Sequence, residues 1–317
     1  DEELVDEDAV VFKHAVNANG DIGDLNPVSI PPGFTRNYIL QPDPARTRER
    51  IREAFDRIKD QHELAVVEGT GHAGVGSVID VSNAHVAAML GAECVIVSGG
   101  GIGRTIDLIA LNRALFQQEG VHIQGAIINK VYESKYDEVA PILRKGLRRL
   151  GIRCLGLIPY RRQMTHPSLA QIASELDLEF FYAQDNLPTE VHSICLAPLA
   201  PRNEPERVED GCLVIFPGTG GEEFSTALKA HIAQHKKKGP RPAAIVLTDG
   251  FAPNEDLRQV LEEAAIPVLL SEKDPIETGT QVRDLMGKIW EKDASKIHLA
   301  QEMVREWVDV DGLFASI

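Results

Sequence analysis

The chain has 317 residues, 43% of them hydrophobic and 26% charged, a make-up that fits a soluble globular protein with room for two cored domains. A formal net charge of -15 argues against nucleic acid or an anionic membrane as principal partner, since both need a basic face. No apolar run approaches the roughly 20 residues of a membrane-spanning helix, and no secretory signal is visible.

The opening run Asp1-Glu2-Glu3-Leu4-Val5-Asp6-Glu7-Asp8 is densely acidic and contains no methionine, so the natural start of the protein is expected upstream. Asp8–Ala15 reads as a helix. Asn17–Asp43 carries Gly20, Gly23, Pro27, Pro31, Pro32, Gly33 and Pro42 and reads as one long loop with turns, a lid or binding segment. Arg36 and Tyr38 lie near its end. Arg36 is either a partner for a substrate carboxylate or an ordinary exposed arginine. Pro44 then opens a helix to about Lys59, with Ile51, Phe55 and Ile58 on one side.

From Leu64 to Pro159 strands and helices alternate. Leu64–Val67, Cys94–Val97, Ala126–Ile128 and Cys154–Ile158 are short, Val- and Ile-rich runs without period-two alternation, the pattern of strands covered on both faces. Helices are predicted over Asn83–Leu90, Thr105–Gln118 and Lys135–Leu150. In Thr105–Gln118, Ile106, Ile109, Ala110 and Ala114 form one apolar row, and Leu108, Leu111 and Leu115 a second. Repeats of this length imply a parallel sheet with right-handed crossovers. The basic residues Arg144, Lys145, Arg148 and Arg149 read as a solvated helix face.

Leu187–Asp210, with Pro198, Pro201, Pro205 and a charged run, reads as a boundary or linker. Beyond it, strands are predicted at Cys212–Phe216, Ala243–Thr248 and Val268–Ser271. Helices are predicted at Glu222–Gln234, Asn254–Ala264, Asp274–Trp290 and Lys292–Val308. The last carries a stripe of Ile297, Ala300, Val304 and Trp307, expected to pack on its own domain or to meet a partner. Cys94, Cys154, Cys195 and Cys212 are widely spaced and form no C-x-x-C or Cys/His motif, so zinc is not expected. They read as free thiols of a reducing compartment, the cytoplasm or an organelle matrix or stroma.

The chemistry gathers in a few turns. Val66-Val67-Glu68-Gly69-Thr70-Gly71-His72 puts a carboxylate where an apolar strand should stop being buried. Such an acid at the carboxyl end of a parallel strand is a usual place to hold magnesium beside a phosphate, and the glycines admit an anion to backbone N–H groups. Glu68 is therefore a magnesium ligand or a carboxylate polarising a bound water, or else a turn cap. Thr70, Gly71 and the following glycines would line the site, and His72 either touches an anion or has no role. Gly99-Gly100-Gly101-Ile102-Gly103-Arg104-Thr105 also leaves a strand and enters a helix. It matches only the first half of G-x-G-x-x-G, and against G-x-x-x-x-G-K-[ST] it lacks both spacing and lysine. Gly101 stands in a turn that is either structural or ligand-facing. Asn129-Lys130 ends a strand, where Asn129 offers a purine edge both a donor and an acceptor. No G-x-S-x-G elbow supports a hydrolase triad.

Val66-Val67-Glu68-Gly69, the Gly-Gly-Ile-Gly turn, Ile128-Asn129-Lys130-Val131 and Leu155-Gly156-Leu157-Ile158-Pro159 occur in that order. This order resembles the dethiobiotin synthetase/cobyrinic acid a,c-diamide synthase branch of P-loop NTPases. Most of all it resembles the dethiobiotin-synthetase-like domain N-terminal to some phosphotransacetylases. Gly211-Cys212-Leu213-Val214-Ile215, Val246-Leu247-Thr248-Asp249-Gly250 and Ile266-Pro267-Val268-Leu269 resemble the DRTGG domain that follows it there. The implied fold is α/β: a parallel-sheet P-loop NTPase-like domain over 1–186, a linker at 187–210, and a smaller three-layer α/β DRTGG-like domain over 211–317.

The resemblance implies ATP and Mg2+ as cofactors. It assigns Asp8 and Glu68 to the metal, Glu68 also to catalysis, Asn129 to adenine, Lys130 to the bound nucleotide, and Pro159 to the border of the base pocket. The phosphate loop and Lys-Pro strand of this branch do not occur in the sequence, so tight ATP binding is expected to need such a unit upstream, unless the protein has lost it. The string Asp-Arg-Thr-Gly-Gly is replaced by Pro217-Gly218-Thr219-Gly220-Gly221-Glu222-Glu223. The leading expectation is an ATP- and magnesium-binding sensing or regulatory protein. The alternatives are an ATP-dependent ligase or synthetase that activates a small carboxylate substrate, and a pseudoenzyme scaffold in a larger assembly. A nucleotide partner and a homodimer are implied, with no nucleic acid or membrane partner.

Overall fold

The computed structural model describes residues 7–16, 21–182, 190–196, 209–217, 241–251, 253 and 255–315. The chain divides into two compact units, one of residues 1–161 with 291–317 and one of residues 162–290. No described helix is long and apolar enough to cross a membrane.

In the first unit a parallel sheet runs in the order β1 (Cys94–Gly99), β2 (Ile123–Val131), β3 (Cys154–Pro159). The connections are helices α6 (Gly103–Gln118) and α7 (Tyr136–Arg149), as the alternation of patterns predicts. Their apolar faces cover one side of the sheet, where Ile109, Leu143 and Leu147 pack with Ile96, Ile128 and Leu157. α5 (Asn83–Leu90) joins them through Ala84 and is started by Ser82, whose hydroxyl accepts the His85 N–H. Of the second predicted row of α6, Leu108 and Leu111 face outward, Leu111 70% exposed, while Leu115 packs against this core. At the N-terminal end lie α1 (Glu7–Ala15) and α4 (Pro44–Lys59), both close to their predicted limits.

The sequence prediction differs from the structure in two places here. Asn17–Asp43 is not one loop: it contains α2 (Ile22–Leu25), capped by the Asp21 carboxylate, and α3 (Phe34–Leu40). α3 exists because Tyr38 is buried in a small core with Ile51, Ile79 and Val81, so its prolines and glycines punctuate helices rather than prevent them. Leu64–Val67 forms no strand, and Val66 is 87% exposed. Among the described residues only β2 pairs with β1, so this apolar run has no ladder to join.

The other edge of the sheet is closed by the C-terminal segment. Gly156 on β3 makes an antiparallel bridge to Val308, and the Asp309 N–H donates to the Leu155 carbonyl at 2.8 Å. Trp307 meets Tyr136 edge-on at 5.2 Å. The helix at Ala294–Trp307, expected within a domain spanning 211–317, thus packs on β3 of the first unit. Gly156 permits this, because a Cβ there would lie 2.5 Å from the Trp307 carbonyl oxygen.

The second unit holds a sheet in the order β4 (Glu179–Tyr182), β8 (Val268–Leu270), β7 (Ala244–Leu247), β6 (Cys212–Phe216), β5 (Ser193–Leu196), parallel except for β4. Alternate residues of β6 and β7 feed opposite faces. Leu213, Ile215, Ala244 and Val246 pack with α8 (Leu169–Glu175) and with Val282 of the helix Pro275–Asp284. Cys212, Val214, Phe216, Ile245 and Leu247 pack with Leu261 of the helix Glu255–Ala264. This is a three-layer α/β unit. α8, β4 and β5 extend it upstream of residue 211, and β5 falls inside the predicted linker. The predicted helix Glu222–Gln234 and most of the turn Pro217–Glu223 lie outside the described residues.

Candidate functional site

The three parallel strands of the first unit end together. Gly99 stands in register with Asn129, and Val131 with Pro159. Gly99–Gly101, Asn129–Val131 and Pro159–Tyr160 therefore share one carboxyl rim, the position where open parallel sheets place ligands. The glycine turn lies hard against β2, since a Cβ on Gly100 would sit 2.5 Å from the Lys130 carbonyl oxygen. Gly101 has φ of 132°, open only to glycine. Behind them buried Thr105 donates its hydroxyl to the Gly99 carbonyl at 2.7 Å and fixes the entry to α6. No side chain caps that helix, so its first N–H groups suit an anion.

Asn129 accepts the Lys130 N–H on its Oδ1 at 2.8 Å, and Lys130 takes a left-handed φ of 60°. That conformation costs a non-glycine residue roughly 1 kcal/mol, a local strain of the kind found at working sites. The exposed lysine leaves the sheet at this point. Pro159 is buried, and the Tyr160 N–H donates to the Val131 carbonyl at 2.8 Å.

Sequence reading missed the aromatic pair at this rim. Tyr132 and Tyr160 stand 5.6 Å apart at 52°, with Tyr132 66% exposed, and Arg161 pairs with Glu133 beside them. The signal was available in Val131-Tyr132 and Pro159-Tyr160, where a tyrosine directly follows each strand end. Such rings offer a face to a flat base.

The Glu68 segment is built differently. Glu68 is exposed and belongs to no strand, so it does not end a member of the layer that carries Asn129. Its glycine turn is anchored to helices. Asn83 at the start of α5 donates from Nδ2 to the Thr70 and His72 carbonyls, each at 2.9 Å, and the Ala73 N–H donates to Asn112 Oδ1 at 2.6 Å. A Cβ on Gly69 would lie 2.8 Å from Asn83 Cγ, and Gly71 takes φ of 75°. Thr70 is exposed. His72 accepts the Gly74 N–H on Nδ1 at 3.2 Å, a bond local to the turn. Asp8 lies on α1, with its side chain outside the described residues. Of the expected lid residues Arg36 is exposed. Tyr38 is buried and donates to Asp80 at 3.2 Å; burial, then Asp80, pushes its hydroxyl pKa up.

A parallel layer crossed by helices, with glycine and asparagine turns at its carboxyl rim, and a second α/β unit after it define a two-domain protein of the P-loop NTPase class. The chain belongs to the AAA-domain family, whose model matches residues 1–168, and the DRTGG-domain model matches residues 171–285. The fold read from the motifs, a dethiobiotin-synthetase-like domain followed by a DRTGG domain, is thereby met. The chain is 23% identical over 283 residues to the phosphate acetyltransferase of Nitratidesulfovibrio vulgaris, covering 86% of this chain and 40% of that protein. It is 25% identical over 128 residues to the ATP-dependent dethiobiotin synthetase BioD of Methanocaldococcus jannaschii, covering 39% of this chain and 59% of that one. It thus spans less than two thirds of either relative. Among solved structures, the CBS and DRTGG regulatory region of a Clostridium perfringens pyrophosphatase matches at 14% identity and a TM-score of 0.29, over 44% of this chain and 60% of that one.

Proposed function

We propose that the chain is a nucleotide-responsive regulatory protein: its AAA domain binds ATP with Mg2+, and its DRTGG domain senses or relays the bound state. The observation that carries this reading is the convergence of Gly99–Gly101, Asn129–Lys130, Pro159 and the Tyr132–Tyr160 pair at one rim. Asn129 and the tyrosines would take the base, Lys130 and the open start of α6 an anionic group, and Glu68, with Asp8, the magnesium. Thr70 and Gly71 would line the phosphate side. Residues 1–317 contain no G-x-x-x-x-G-K-[ST] loop. The β1 edge, where Val97 is 63% exposed, is the place for a further strand to bring one.

The test is calorimetric titration of the full-length protein with ATP, with and without Mg2+. Asn129→Ala is expected to weaken binding about tenfold, the loss of one or two hydrogen bonds. Glu68→Gln is expected to weaken only the magnesium-dependent part. Absence of ATP binding, or binding indifferent to both variants, overturns the reading. Release of ADP only when a small carboxylate is supplied would move it to the ligase alternative.

A further inference from the structure

The sequence carries no zinc-binding motif, yet the second unit brings His166, Glu190 and His192 together so that their ligand atoms all lie within 4.8 Å of one another. Glu190 Oε2 stands 3.6 Å from His166 Nδ1 and 3.7 Å from His192 Nε2. The two imidazoles lie 4.6 Å apart between centroids, tilted at 33°. We propose that these side chains form a zinc-class divalent cation site, two imidazoles and a carboxylate, that clips β5 to the segment entering α8.

The donor spacing fits the chemistry. Tetrahedral zinc holds its ligands at about 2.0–2.1 Å, which separates neighbouring donors by roughly 3.4 Å. The two Glu190–histidine distances need to close by only a few tenths of an ångström, and rotation of the rings shortens the third. Imidazole nitrogen with a carboxylate oxygen suits zinc or cobalt better than magnesium or calcium, which prefer oxygen. The fourth position is left for water.

The scaffold holds the donors from both sides. The Val191 N–H donates to the Pro167 carbonyl at 2.8 Å, tying the two strips of chain that carry the ligands, and Val191 itself is fully buried. The His192 N–H donates to the Gly211 carbonyl at 2.8 Å. Gly211, at φ of 75°, admits the ring, because a Cβ there would sit 2.6 Å from His192 Nδ1. Nδ1 thus lies against Gly211 while Nε2 faces Glu190. Among the described residues β5 is an edge strand with its pairing on one side only, so a clip here would hold the margin of the sheet. None of this depends on the nucleotide reading of the first unit.

The experiment is a titration of the metal-free, tag-free full chain with Co2+ and then Zn2+. One equivalent of Co2+ is expected to give visible d–d bands that Zn2+ abolishes, and Zn2+ is expected to raise the unfolding temperature. His166→Ala and His192→Ala should each weaken Zn2+ binding about tenfold or more, on the scale that lost metal-site contacts cost. Glu190→Gln, which keeps shape, should weaken it as well. His298→Ala, which removes the exposed His298–Glu302 pair elsewhere, should change nothing. A wild type without stoichiometric Co2+ bands overturns the proposal. So does a spectrum that survives the double His166→Ala/His192→Ala variant, or one lost equally in His298→Ala.

Discussion

Two strands of this protein begin almost alike. Cys94-Val95-Ile96-Val97 opens β1 and Cys212-Leu213-Val214-Ile215 opens β6. In β6 all of these residues are at most 2% exposed, whereas on β1 Val97 is 63% exposed. The cause is neighbours rather than composition. β6 lies between β5 and β7 with helices on both faces, while among the described residues β1 has only β2 beside it. An apolar run of this kind states that a strand will form. It does not state whether the strand will be central.

The comparison can be broken most sharply by truncation at matched positions. Ile215→Ala should cost about 2–5 kcal/mol, the transfer loss plus a cavity. Val97→Ala should stay within about 0.5 kcal/mol, as for an exposed side chain. Urea unfolding followed by amide exchange in each unit reads both. A Val97 loss as large as that of Ile215 would mean that β1 is covered in solution, and would favour an added strand. A smaller effect is expected at the closed edge. Gly156→Ala must push against the Trp307 carbonyl, at a cost of about 1–3 kcal/mol. The amide of Asp309, bonded to Leu155, should then exchange faster. Unchanged protection there would show that the C-terminal segment does not lie on β3.

The sequence made β1, β2, β3, β6, β7 and β8 legible because buried parallel strands leave dense Val/Ile runs between turn residues. It placed Asn129 at a strand end, where the structure has it in register with Gly99. What it hid depended on contacts far along the chain. Leu64–Val67 reads as a strand and finds no pairing partner among the described residues. Tyr38 reads as a loop residue and is core because Ile51, Ile79 and Val81 reach it. The helix Ala294–Trp307 follows the second unit in sequence and packs on the first, which no local pattern encodes. His166, Glu190 and His192 escaped for the same reason: the pairing of Val191 with Pro167, rather than a motif spacing, brings them together.

The matched cysteines give the finest test of the comparison, because their environments push them in opposite directions. Burial raises the Cys94 thiol from 9.0 to about 11. The Cys195 thiol, donating to Cys212, pulls that group below 9.0 against the effect of its burial. The linkage signs are therefore opposite. Cys94 has a folded pKa above the unfolded one, so its contribution is complete below 9.0 and is lost as pH rises toward about 11. Cys212 has a folded pKa below the unfolded one, so its contribution is present above 9.0 and is lost as pH falls through the lowered value. Tyr38 and Tyr136, both raised above 10.0 chiefly by burial, also ionise at alkaline pH, so the measurement is the difference between wild type and each cysteine-to-alanine variant across pH. The Cys94→Ala difference should shrink as pH rises past 9.0, and the Cys212→Ala difference should grow as pH rises toward it. Slopes of the same sign would mean that the two thiols share one kind of environment, and that the resemblance between β1 and β6 extends beyond their spelling.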